Sequence, residues 1–132
     1  MRTDFMDIYL GATCTFCVTT GAGWDAIPVS LFRKPVVYTN LVPFGYLLTF
    51  SEKFLLMTKR HFHAGRELTI SEIFSYNVGF CMRAEDYEKE RVELIENTPN
   101  ELKNVIIEMA ERIERIWEPA AEDESLQNKF WK

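Results

Sequence analysis

The stretch 15–40 constrains this chain more than any other, because it reads as strand, glycine turn, helix and strand in immediate succession. Thr15-Phe16-Cys17-Val18-Thr19-Thr20 has the β-branched and aromatic content of a short buried strand. Gly21-Ala22-Gly23 follows directly, a short amphipathic segment runs on to Phe32, and Pro35-Val36-Val37-Tyr38-Thr39-Asn40 reads as a second strand. Adjacent parallel strands need a right-handed crossover, and the 24–32 helix supplies one. Ligands of such sheets sit at the carboxyl ends of the strands. Those ends are Thr19-Thr20-Gly21 and Thr39-Asn40-Leu41, side by side on one rim. A turn that leaves a strand and opens a helix offers backbone N–H groups and the positive end of the helix dipole, which suits anions and phosphates above all. Glycine allows a ligand close to that backbone. Two glycines fall short of a dinucleotide fingerprint, so a tight turn with no ligand stays open as the alternative.

Helices and short apolar strands alternate along the rest of the chain. A helix is expected at 4–12, with Phe5, Ile8, Tyr9 and Ala12 on one face. Residues 41–51 read as an apolar loop, 54–57 as a short extended segment and 91–95 as a short strand. Thr69-x-x-Glu72 and Thr98-x-x-Glu101 are capping boxes that predict helices over about 70–78 and from 98 to before Pro119. Pro99 suits the first position of the second helix. Leu102, Val105, Ile106, Met109, Ile113 and Ile116 line that helix at helical spacing. The tail 120–132 opens acidic and ends Phe130-Trp131, so either a last helix packed on the domain or a frayed end fits it. The alternation argues for an α/β fold built on a parallel sheet.

At 132 residues the chain reads as one domain, 1–132, large enough to bury about two thirds of its unfolded surface. Hydrophobic residues make up 47% and charged residues 27%, which is a globular balance. A net charge of −5 argues against general nucleic-acid binding, which wants a basic face, while leaving room for one phosphate pocket. Three cysteines, an odd number without a secretory signal, fit the cytoplasm rather than a disulfide framework. No apolar run reaches the ~20 residues of a membrane-spanning helix. The longest, 41–50, is broken by Pro43 and Gly45 and suits a docking surface, peripheral membrane contact included.

The segment 16–40, FCVTTGAGWDAIPVSLFRKPVVYTN, resembles the nucleotide-sugar region in the C-terminal half of GT-B glycosyltransferases, in particular bacterial glycosyltransferases of cell-surface polysaccharide pathways. DFMDIYLGA before it, FLLMTKRHF and RELTISEI after it, and the closing ELIENTPNELKNVIIEMAERIERIW agree in order and spacing, so the likeness spans about 4–118. It implies a partial Rossmann-like three-layer domain that takes a nucleotide-diphosphate sugar as donor substrate, with no cofactor and no metal. It also implies an incomplete unit. The acceptor-binding half, which commonly supplies a general base, and the first strands of the donor-binding half have no counterpart here. Complete activity is therefore not expected of the lone chain. The strand near 15–20 would be an open sheet edge, which invites a homo-oligomer or a companion chain.

On that footing Thr19, Thr20, Gly21, Ala22 and Gly23 would donate to the diphosphate, and Asn40 with the backbone of Leu41 and Val42 would meet base or ribose. Asp25 would bond a sugar hydroxyl or, as the plainer role, cap a helix. Trp24 would stack on a base or sugar, or sit in the core. Pro28 favours a helix start near Asp25, which leaves more of the glycine turn free. Lys59 and Arg60, with His61 and His63, form the one compact basic cluster, suited to a pyrophosphate leaving group or to a solvated loop. Arg33 and Lys34 read as helix C-terminal charges. Cys14-x-x-Cys17 with His61-x-His63 is a weak zinc pattern, and Glu85-Asp86-Glu88-Glu90 reads as a solvated acidic surface. Catalytic residues are not identified. A nucleotide-sugar 2-epimerase-like protein and a non-enzymatic α/β interaction module remain the alternatives.

Overall fold

The apolar runs before and after the glycine turn become neighbouring strands. In the computed structural model, which describes residues 2–47 and 51–130, helix α1 (Asp4–Thr13) leads into β1 (Cys17–Thr19). β1 pairs in parallel with β2 (Val36–Leu41), and β2 pairs in parallel with β3 (Phe54–Thr58). The order β1-β2-β3 puts β2 in the middle, with Val36 and Val37 wholly inaccessible. A central parallel strand is covered on both faces and therefore reads as an unbroken apolar run. Alternation directs Val36 and Tyr38 to one face, where they join Cys17, Val29 and Leu41, and turns Val37 to the other.

The crossover from β1 to β2 departs from a regular helix. A 3₁₀ turn, Gly23–Asp25, runs into a π-helical turn, Ala26–Leu31. Pro28 has no N–H and its ring crowds the carbonyl four residues back. The wider turn accommodates it, with the Phe32 N–H donating to the Ile27 carbonyl at 3.3 Å.

Beyond β3 the chain enters a second sheet that the parallel-sheet expectation does not contain. After Lys59 alone, β4 (Arg60–His63) pairs antiparallel with β5 (Arg66–Glu67) and with β6 (Val92–Ile95). The basic cluster at 59–63 is thus no solvated loop: it holds the central strand of this sheet. Ala64 and Gly65, at φ 51° and 77°, make the two-residue turn between β4 and β5, the conformation that right-twisted hairpin strands favour.

Helix α2 (Ile70–Ser75) carries the expected capping box but ends short of 78. Asn77 turns left-handed at φ 59° and the Val78 N–H donates back to the Ile73 carbonyl, a Schellman-type stop. The acidic segment is helical as α3 (Ala84–Lys89), and its Tyr87 is buried with its hydroxyl 2.8 Å from the Cys81 carbonyl. Leu68, Ile73, Val78, Tyr87 and Val92 form the second apolar core. Helix α4 (Pro99–Glu114) has its capping box and its first-position proline in place and packs on β2, with Met109 buried. The tail is helical as α5 (Ala121–Phe130), and its described residues are all exposed. Residues 48–50 of the apolar loop and the closing 131–132 lie outside the described residues. Among the described residues no helix is long and apolar enough to cross a membrane.

His61 is the most buried polar residue among the described residues, at 1% exposure. Its Nδ1 lies 2.9 Å from the Lys59 carbonyl and so carries the proton, while Nε2 is buried without a partner among the described residues. Burial pushes the imidazole below its ordinary value of 6.5, against the smaller opposing effect of the Lys59 carbonyl. A base whose folded pKa is depressed takes up protons first in the unfolded chain. Its contribution is present above pH 6.5 and is lost as pH falls from there through the folded value. Urea denaturation should therefore show stability falling between neutral and mildly acidic pH, and His61→Phe should flatten that slope. Removing the α4 cap with Thr98→Ala should cost about 1 kcal/mol in the same measurement.

Candidate functional site

Parallel pairing brings the carboxyl ends of β1, β2 and β3 to one rim, and three of the sequence-derived residues arrive there together: Thr19, Asn40 and Lys59. Around Thr19 the contacts are local. The Thr19 hydroxyl donates to Asp25 Oδ2 at 3.2 Å and accepts from the Gly21 N–H at 3.0 Å. The Thr39 hydroxyl reaches the Thr19 carbonyl at 3.4 Å. Gly21 holds φ 88°, a left-handed conformation that a side chain would strain. Thr20, Gly21, Ala22, Gly23 and Trp24 form an exposed rim segment, and Trp24 is at the surface rather than in the core.

Asp25 is only 9% exposed. It makes no helix-capping bond from its side chain, so the plainer role expected of it is not the one it plays. Its carboxylate instead orients Thr19 and sits close enough to Cys17 and Tyr38 to affect both. Burial, then Cys14, then Asp25 push the Cys17 thiol up to about 11, and burial, then Asp25 and Cys17, raise the Tyr38 phenol. A thiol held that high is protonated and inert at neutral pH.

Asn40 is committed to the fold. It sits at φ 50°, and its side-chain oxygen accepts from the Asn97 N–H at 2.6 Å while its own N–H donates to Asn97 Oδ1 at 2.8 Å. Asn97 Nδ2 also donates to the Thr58 carbonyl at 2.9 Å. One carboxamide therefore ties the ends of β2 and β3 to the link between β6 and α4. The sequence reading missed Asn97. The available signal was its position, the residue before a capping box and just after a strand.

Lys59 lies at the joint between β3 and β4, where its N–H donates to the Leu41 carbonyl at 3.3 Å and Nζ pairs with exposed Glu96 at 3.2 Å. Arg60 belongs to β4, and its Nε is buried without a partner among the described residues. The guanidinium is near enough to Glu101 to help lower that carboxyl, behind the Thr98 hydrogen bonds that dominate. The weak zinc pattern does not assemble. Cys17 packs in the core of the parallel sheet, and His61 faces Tyr87 beside the second sheet. The described residues hold no cluster of three His, Cys, Asp or Glu side chains suited to a metal.

Comparison of this chain with protein-family models, with curated proteins and with solved structures finds no match. The rim itself is thus the ground for a functional reading. It combines three strand ends, an exposed glycine turn, one cation and one enclosed carboxylate.

Asn97→Ala would leave the Asn40 N–H and the Thr58 carbonyl without their partner in a part-buried setting, at about 1–3 kcal/mol for each unsatisfied group. Urea denaturation should show a loss of roughly 2–6 kcal/mol on that basis. Asn97→Asp keeps the acceptor and loses the donor, so it should cost less.

Proposed function

We infer that this chain is the nucleotide-sugar-binding part of a glycosyltransferase, a portion of a Rossmann-like domain of the GT-B type acting in cell-surface polysaccharide biosynthesis in the cytoplasm. The observation that carries this reading is the convergence of the glycine turn, Asn40 and Lys59 on one carboxyl rim of a parallel sheet. That rim is where the ligands of open α/β sheets bind.

In this reading the exposed backbone of the 20–23 turn receives the diphosphate. Thr19 has its hydroxyl fixed by Asp25 and Gly21, which positions the start of the turn. Lys59 supplies positive charge for the pyrophosphate leaving group as the glycosidic bond breaks, once it exchanges Glu96 for the ligand. Asn40 acts through backbone placement, because its side-chain oxygen already serves Asn97. Arg60 contributes less than Lys59, since it belongs to the central strand of the second sheet rather than ending a rim strand. Trp24, at 37% exposure, is available to stack on a base or sugar.

Calorimetric titration of the folded chain with UDP, GDP, CMP and dTDP tests this. One nucleotide should bind saturably, and Gly23→Val should abolish binding. A Cβ at Gly23 meets nothing within 4 Å, so the added side chain projects into the open space over the turn. Failure of every nucleotide to bind at millimolar concentration would favour a non-enzymatic interaction module.

A further inference from the structure

Helix α1 is turned inside out. Of its expected apolar face only Ala12 is half-buried; Phe5, Ile8 and Tyr9, together with Met6 and Leu10, are between 42% and 72% exposed. Gly11 is the buried residue of the helix. The absence of a side chain there lets the helix lie against the π turn, where an added Cβ would stand 2.6 Å from Ile27 Cγ2. At 100° per residue, the five large residues span a broad arc opposite Gly11 and Asp7. That arc carries no charge, since Asp4 and Asp7 fall on the other side and Asp7 pairs with Arg2.

The strand that follows this helix has an open edge. β1 ends the order β1-β2-β3. The Cys17 N–H donates inward to the Pro35 carbonyl, so alternation directs the Val18 N–H and carbonyl outward, and the Val18 side chain is 45% exposed. An uncapped edge and the apolar helix that leads into it form a template for another strand and another helix together.

We propose that the occupant is a second copy of this chain. A two-fold axis normal to the sheet sets β1 antiparallel to the β1 of the other copy, centred on Val18, and fuses the two parallel sheets into one. The same axis keeps both α1 helices on one face of the joined sheet, side by side, so that each apolar arc covers the other. The contact is isologous, as most homodimer interfaces are. Two chains of net charge −5 meet through an arc that carries none of that charge. At ~200 Å² for a large side chain, the exposed fractions of the five α1 residues amount to roughly 500 Å² per copy. With Val18 and the strand edge, complete burial of this arc would reach the ~600 Å² per partner at which specific interfaces begin.

Sedimentation velocity across a concentration series tests the assembly. The unchanged chain should form a dimer, and the double variant Phe5→Glu, Tyr9→Glu should weaken it at least about tenfold, the scale of losing apolar anchors. Both residues are exposed in the single copy, so the circular dichroism spectrum should not change. Strand pairing has its own readout. Opposed residues of a hydrogen-bonded antiparallel pair have Cα atoms about 5.5 Å apart, which a disulfide spans. Val18→Cys in a Cys14→Ser background should therefore oxidise to a covalent dimer, and Cys14→Ser alone should not. A chain that stays monomeric at the highest concentration overturns the proposal. So does a dimer indifferent to the α1 variant, or one that fails to cross-link at 18. These outcomes are read without nucleotide, so they stand apart from the fate of the donor-binding reading.

Discussion

The exchange of hydrogen bonds between Asn40 and Asn97 is the contact on which the arrangement of both sheets depends. Each residue gives its backbone N–H to the other's side-chain oxygen, and Asn97 reaches Thr58 as well. β2 and β3 belong to the parallel sheet, while Asn97 follows β6 of the antiparallel one and precedes the α4 cap at Thr98. Four elements therefore end at one point. Backbone groups at strand ends have no ladder partner, and leaving them unpaired in a part-buried setting is costly. Here the two carboxamides satisfy those groups and fix the rim on which the candidate site lies.

The second tie between the sheets is covalent. β3 passes into β4 through Lys59 alone, so the same run of chain is an edge of one sheet and the centre of the other. This places Lys59 at the rim and carries His61 into the interior within two residues. Each apolar core is small, and His61 sits beside the Tyr87 of one of them with its ring centroid 6.1 Å away. A neutral imidazole there is compatible with packing, whereas a charged one is not.

Much of the element plan was legible from local chemistry. Both capping boxes are formed, because a Thr hydroxyl and a Glu carboxylate three residues on satisfy helix-end donors whatever surrounds them. Val36-Val37-Tyr38 forms the central strand that its apolar run announces. Arg60–His63 was not legible as a strand, since its charges mimic a surface loop and its burial comes from β6, about thirty residues later in the chain. The outward turn of α1 was equally hidden. Spacing reports that a helix has an apolar face, not which side of the helix the domain takes.

The sequence by itself determined where α1, α2 and α4 start, where β2 runs and that a glycine turn follows the first strand, because caps, β-branched runs and glycine act within a few residues. Only the tertiary structure decided that Asn40 answers Asn97, that Asp25 holds Thr19 instead of capping a helix, and that the 59–63 cluster splits between a rim cation and a buried histidine. Those outcomes depend on which strands become neighbours. Pairing across long separations is selected by the free energy of the whole fold, which no local pattern records.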